Sequence, residues 1–188
     1  NRINETLPPK PHRGWSSEDE TNEKGMLITP KRITTVGTWN VRTLLAIGAT
    51  EMLMHELERL KWDVIGISET HWTGIQECCV KGYTIISSGR EEGHSSGVGL
   101  ILTREAQRSL ISYTATSDRI ISARFQTRNG MVTICQVYAP TADADDDKID
   151  AFYIDLQEEI NKIPKRDALV LWETLMQRLE LETRIQEQ

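Results

Sequence analysis

Apolar and polar positions change their rhythm at Ile33. Residues 1–31 carry Pro8, Pro9, Pro11 and Pro30, the polar run Ser16-Ser17-Glu18-Asp19-Glu20 and little apolar periodicity, which predicts a disordered leader. Ile33-Thr34-Thr35-Val36-Gly37-Thr38-Trp39-Asn40 is β-branched and short, the pattern of a strand ending on a polar residue. Met52, Leu53, Leu57 and Leu60 then recur at helical spacing, with Glu56 and Glu58 outside the stripe. Asp63-Val64-Ile65-Gly66-Ile67-Ser68 is an apolar run suited to a strand covered on both faces. Strand, helix and strand in succession predict a layered α/β domain.

Short strands are predicted again over 83–87 and 97–102. Two more, over 119–126 and 131–138, flank Asn129-Gly130, a dipeptide that favours a tight hairpin turn. The acidic loop 143–147 leads into a helix with Ile149, Phe152, Tyr153, Leu156 and Ile160 on one face. Acids at a first helical turn favour the helix dipole, and these lack the spacing of an EF-hand loop. After Pro164, Asp167-Ala168-Leu169-Val170-Leu171 begins like a strand. Leu169, Trp172, Leu175, Met176 and Leu179 nevertheless recur at three-and-four spacing among Glu173, Arg178, Glu180, Glu182 and Arg184, the pattern of an amphipathic helix. The expected organisation is a leader over 1–31, a domain over 32–170 and a helix over 171–188.

With 188 residues, 38% hydrophobic and 27% charged, the chain has ordinary globular composition and length for one domain with tails. No apolar run approaches the roughly 18–20 residues that cross a bilayer, so no membrane partner is expected. Three cysteines, with Cys78 and Cys79 adjacent, make a poor disulfide framework and favour a reducing, intracellular compartment. A formal net charge of −6 argues against a clamp that grips nucleic acid by bulk charge. It leaves open an enzyme whose carboxylates hold a metal beside a phosphate.

Polar groups close three of the predicted strands: Asn40, Glu69 just after Gly66-Ile67-Ser68, and Tyr138 in Gln136-Val137-Tyr138-Ala139-Pro140. In layered α/β enzymes, strand ends aim side chains into a shared cleft. A carboxylate there can ligate Mg²⁺, an amide can hold that carboxylate, and a phenol can donate to a phosphate oxygen. Each residue also has a plainer role open to it: Glu69 as a surface residue or helix cap, Asn40 in a turn, Tyr138 as a half-buried aromatic. Arg42, Arg119 and Arg124 are candidates for holding phosphates, or are solvated strand and loop charges.

The strings Thr38-Trp39-Asn40-Val41-Arg42-Thr43-Leu44, Ile67-Ser68-Glu69-Thr70-His71-Trp72, Gly97-Val98-Gly99-Leu100 and Val137-Tyr138-Ala139-Pro140 occur in that order. As a set they resemble the endonuclease/exonuclease/phosphatase superfamily. More narrowly, the chain is similar to the apurinic-endonuclease-like domain of RTE-type non-LTR retrotransposons, whose host-carried descendants are called craniofacial development protein 2-like. Lys61-Trp62-Asp63 and Ser117-Asp118-Arg119-Ile120-Ile121 also fit that lineage, and the resemblance covers about residues 32 to 170. It implies a four-layer α/β sandwich and Mg²⁺-dependent hydrolysis of a DNA phosphodiester, with Mn²⁺ as an alternative ion. It also implies metal binding by Glu69 with Asn40 in support and contact of Tyr138 with the scissile phosphate; Arg42 and Arg119 are expected to bind substrate through their local charge.

The family pattern continues with a Gly-Asp-Phe-Asn segment and, later, a Ser-Asp-His-like end, which orient the attacking water and contact the phosphate. Here Leu169-Val170 is followed by Leu171-Trp172-Glu173-Thr174. The expectation is therefore an incomplete sandwich with a C-terminal amphipathic helix and weak or absent turnover. The alternative is a non-catalytic module, with a protein partner or a second copy docking through Leu169, Trp172, Leu175, Met176 and Leu179.

Overall fold

The computed structural model describes residues 34–173 other than Asn129 and Ala142. β1 (Val36–Asn40) and β2 (Val64–Ser68) are parallel strands joined through α1 (Ala49–Leu57). β3 (Ile75–Val80), β4 (Tyr83–Ser88) and β5 (Val98–Leu102) complete a five-stranded sheet in the order β1-β2-β5-β4-β3. A short helix, α2 (Arg104–Ser109), capped by the Thr103 hydroxyl, leads to the second sheet. That sheet holds β6 (Leu110–Ser117), β7 (Ile120–Thr127), β8 (Gly130–Val137) and, after α3 (Asp146–Lys162), β9 (Ala168–Glu173). Its order is β6-β7-β8-β9, with β9 parallel to β8.

Side-chain alternation explains the stacking. On β2 and β5, Val64, Val98, Leu100 and Leu102 face the second sheet and meet Ile121, Ala123, Phe125, Val132 and Ile134. The alternate residues Ile65, Ile67 and Ile101 face the other way and pack on Leu53, Met54 and Leu57 of α1. On the far side of the second sheet, Ile120, Cys135 and Val137 pack on Phe152 of α3. Helix, sheet, sheet and helix form an α/β sandwich in layers. Strands buried on both faces must be apolar throughout, which is why β2 reads VIGIS and β5 reads VGLIL.

The structure corrects several sequence expectations. Met52 and Leu60 share the helical spacing of Leu53 and Leu57 but are 72% and 55% exposed, Leu60 lies beyond the helix end, and Met54 is buried instead. Tyr153, grouped by spacing with Phe152 and Leu156 on one face of α3, is 55% exposed. The last strand does not stop at Val170 but runs through Glu173, so residues 171–173 are strand rather than helix. Val170 and Trp172 pack against the inter-sheet core, while Leu169 and Leu171 are exposed, an alternation of period two that a helical stripe cannot make. Leu175, Met176 and Leu179, and the leader over 1–31, lie outside the described residues. Among the described residues, no helix is long and apolar enough to cross a membrane.

Candidate active site

Parallel pairing of β1 and β2 sets Asn40 beside Ser68 at the strand ends. The next residue, Glu69, turns out of the strand with φ 58°, a left-handed conformation costing on the order of 1 kcal/mol in a non-glycine residue. Arg42, at φ 57°, is in the same region. Backbone bonds hold these turns: Val41 N–H donates to Ser68 O at 3.0 Å and Leu44 N–H to Thr70 O at 3.0 Å. Gly97, at φ +94°, lets its strand pass so close to Thr70 that a Cβ there would overlap the threonine hydroxyl.

Two donors converge on one oxygen. Asn40 Nδ2 donates to Glu69 Oε1 at 2.6 Å, and the Tyr138 hydroxyl donates to the same atom at 2.9 Å. Asn40 is itself oriented, since its Oδ1 accepts from Arg42 N–H at 2.9 Å. Tyr138 is buried at the end of β8, and its phenol is pushed up to about 12 by burial and by the Glu69 carboxylate, against a smaller opposing effect of the Arg119 charge. The phenol therefore keeps its proton at neutral pH and acts as a donor. Because both bonds fall on Oε1, Glu69 Oε2 stands outside them, an oxygen suited to a hard cation that needs only one or two protein carboxylates. Among the described residues, no group of three His, Cys, Asp or Glu side chains forms a larger metal cluster.

Of the three arginines singled out in the sequence, one borders the trio with an exposed side chain, one is engaged within it and one is elsewhere. Arg42 is exposed beside Asn40. Arg119 Nη1 donates to Tyr138 O at 3.0 Å and Ala139 O at 3.1 Å, and its guanidinium carbon lies 4.8 Å from the centre of the Tyr138 ring. Arg124 is not at the cleft. It pairs with Asp167 through Nε at 2.5 Å and Nη2 at 2.9 Å, and Thr133 donates to the same carboxylate at 3.1 Å. Its side chain points away because β7 alternates, and residue 124 falls on the face opposite Ala123 and Phe125.

One supporting residue escaped the sequence reading. Gln136 is fully buried between the sheets, where its carboxamide oxygen accepts from Thr38 Oγ1 of β1 at 2.9 Å. That oxygen lies over Gly66 of β2, where any Cβ would overlap it. A glutamine two residues before Tyr138 in a largely apolar strand was the available signal, since buried amides are retained with a partner.

No family model matches the chain. The chain is 35% identical over 159 residues to craniofacial development protein 2 of Bos taurus, a match covering 85% of this chain but 27% of that protein. The chain thus spans about a quarter of that relative's length. Among solved structures, the AP endonuclease LMAP from Leishmania major superposes with a TM-score of 0.60 at 14% identity, covering 78% of this chain and 56% of that one. The 3′ phosphatase NExo from Neisseria, bound to a product DNA hairpin, superposes at 0.52 and 18% identity, covering 75% and 58%.

Proposed function

Because this chain belongs to the endonuclease/exonuclease/phosphatase superfamily, we propose that it is a magnesium-dependent hydrolase of DNA phosphodiesters with slow turnover. The observation that carries this is the pair of hydrogen bonds from Asn40 and Tyr138 onto Glu69 Oε1. They hold a carboxylate in one orientation at the meeting point of two strand ends. Its chemistry fits a hard divalent cation beside a phosphate. Mg²⁺, or Mn²⁺ in its place, would be held by Glu69 with Asn40 in support. When bound, such an ion neutralises charge developing on a phosphoryl oxygen.

The chain's own groups do the rest. Asn40 keeps the Glu69 carboxylate from swinging, and Tyr138, protonated at neutral pH, turns its one proton from Glu69 to a phosphate oxygen as negative charge grows there. Arg42 offers a positive charge to a neighbouring phosphate. DNA is the proposed substrate, consistent with the AP endonuclease and DNA-bound phosphatase neighbours and with the retrotransposon-like strings around Asn40 and Glu69. A nuclear site of action follows from the same proposal. Turnover is slow because the side chains bonded around Glu69 are an amide, a phenol that holds its proton and, behind it, a guanidinium. None is a base near neutrality, and general-base assistance contributes typically about 10²–10⁴-fold.

Incubation of end-labelled duplex DNA with Mg²⁺ tests the proposal. Fragments that grow with time and with enzyme concentration, and that EDTA abolishes, are expected. DNA left intact at high enzyme concentration would overturn it. A non-catalytic docking role is favoured by one observation, the 40% and 42% exposure of Leu169 and Leu171 on β9. Sedimentation of native chain against Leu171→Glu reads that role directly, as loss of self-association.

A further inference from the structure

Bonds around Tyr138 close into a ring that joins the two sheets. Glu69 receives the Tyr138 hydroxyl at 2.9 Å, and Tyr138 N–H donates to Arg119 O at 2.9 Å. Next to Arg119, Asp118 O accepts from Gly97 N–H at 3.0 Å, and Gly97 O accepts from Thr70 N–H at 3.2 Å. Thr70 is covalently joined to Glu69, which closes the circuit. The turn that carries Arg119 is also pinned by Ser88, whose hydroxyl donates to Ser117 O at 2.7 Å.

We infer that Arg119 is a positioning residue that acts through Tyr138, rather than a direct ligand of substrate phosphate. Nη1 is shared between the carbonyls of Tyr138 and Ala139, and the guanidinium lies over the tyrosine ring. Hydrogen bonds along one edge and a ring under the plane fix the tyrosine at both ends of its side chain: backbone at one end, aromatic face near the other. Swinging the guanidinium to a phosphate would surrender all three contacts. Its charge has a second effect in place, since a cation over the ring favours the phenol as a hydrogen-bond donor. Lysine keeps the charge but lacks the planar fork, so it cannot reproduce the clamp. The inference rests on the proposal that Tyr138 donates to phosphate, but the clamp itself can be read without catalysis.

The test labels the chain with 3-fluorotyrosine, assigns the Tyr138 ¹⁹F resonance by its loss in Tyr138→Phe, and compares native chain with Arg119→Lys and Arg119→Met. Arg119→Lys is the folded fallback if the methionine variant does not fold. Displacement or broadening of the Tyr138 resonance in both variants is expected. A fall of about tenfold or more in kcat for DNA nicking with KM little changed should accompany it, in line with the large rate cost of a roughly 1 Å misplacement. An unmoved resonance in both variants would overturn the inference, as would a normal kcat with raised KM, the mark of a phosphate contact. A moved resonance in a chain that never nicks DNA supports the clamp and counts against the hydrolase proposal alone.

Discussion

The Tyr138 hydroxyl donates to Glu69 Oε1 at 2.9 Å although the two residues lie 69 positions apart and on different sheets. A single charge-assisted bond therefore joins the end of β8 to the end of β2, where Asn40 of β1 also arrives. Removing only that donor, as in Tyr138→Phe, should cost about 2 kcal/mol of stability in chemical denaturation, the usual range for a bond to a charged group. Nicking should fall about a hundredfold, as when one preorganised donor is lost from an enzyme site.

Gly66 and Gln136 are expected to behave as a coupled pair. A Cβ at Gly66 would overlap the Gln136 carboxamide that bonds Thr38. Gly66→Ala should lower stability by about 1–3 kcal/mol, the ordinary cost of overpacking. In a double-mutant cycle measured by urea unfolding, Gly66→Ala should cost clearly less in a Gln136→Ala background, because the clash is gone. Additive losses would show that the amide does not fill the space over Gly66.

Acid should weaken the second sheet through Asp167. Hydrogen bonding to Arg124 holds its carboxyl below the ordinary value of 3.8, partly opposed by burial and aided by Thr133. A carboxyl with a lowered folded pKa stabilises the fold above its unfolded value, and that stability is lost as pH falls through the folded one. Thermal melts between pH 6 and pH 3 should therefore show a drop that Asp167→Asn flattens. The variant should already be less stable at pH 6, since it leaves Arg124 without its ion partner.

Thiol reactivity should sort by position. Cys79 is exposed on β3, whereas Cys135 is buried under α3 and pushed up to about 12, mainly by burial and further by Glu159. The thiolate is the reactive form, so at pH 8 a disulfide reagent such as DTNB should label Cys79 promptly. Labelling of Cys135 should wait for unfolding and should vanish from the slow phase in Cys135→Ala.

Legibility in the sequence followed burial. β2 and β5, apolar on both faces, and the hairpin of β7 and β8 stand out as apolar runs and a turn dipeptide, and the structure has them there. β3 and β6 do not show in the sequence because IQECCV is largely exposed, LISYTATS is only half-buried, and neither carries a strong alternation. α2 was missed because six residues are too few for a period to show. At the site, strand-ending Asn40, Glu69 and Tyr138 were legible as residue types at strand ends and as part of a family resemblance. The clamp of Arg119, the placing of Gln136 and the distance of Arg124 from the trio depend on which face of which sheet meets which, and no local pattern encodes that. The end of the chain shows the same limit, since three-and-four spacing and strand alternation overlap from Leu169 to Trp172, and the pairing of β9 with β8 decides between them.

The most direct test of the central claim is relaxation of supercoiled plasmid by purified native chain and by Glu69→Gln, each with Mg²⁺ and with EDTA. Slow nicking by the native chain that requires Mg²⁺ and disappears in the variant is the expected result. Equal nicking by both chains, or none by the native chain at high concentration, would contradict the assignment of Glu69 as the group around which this site works.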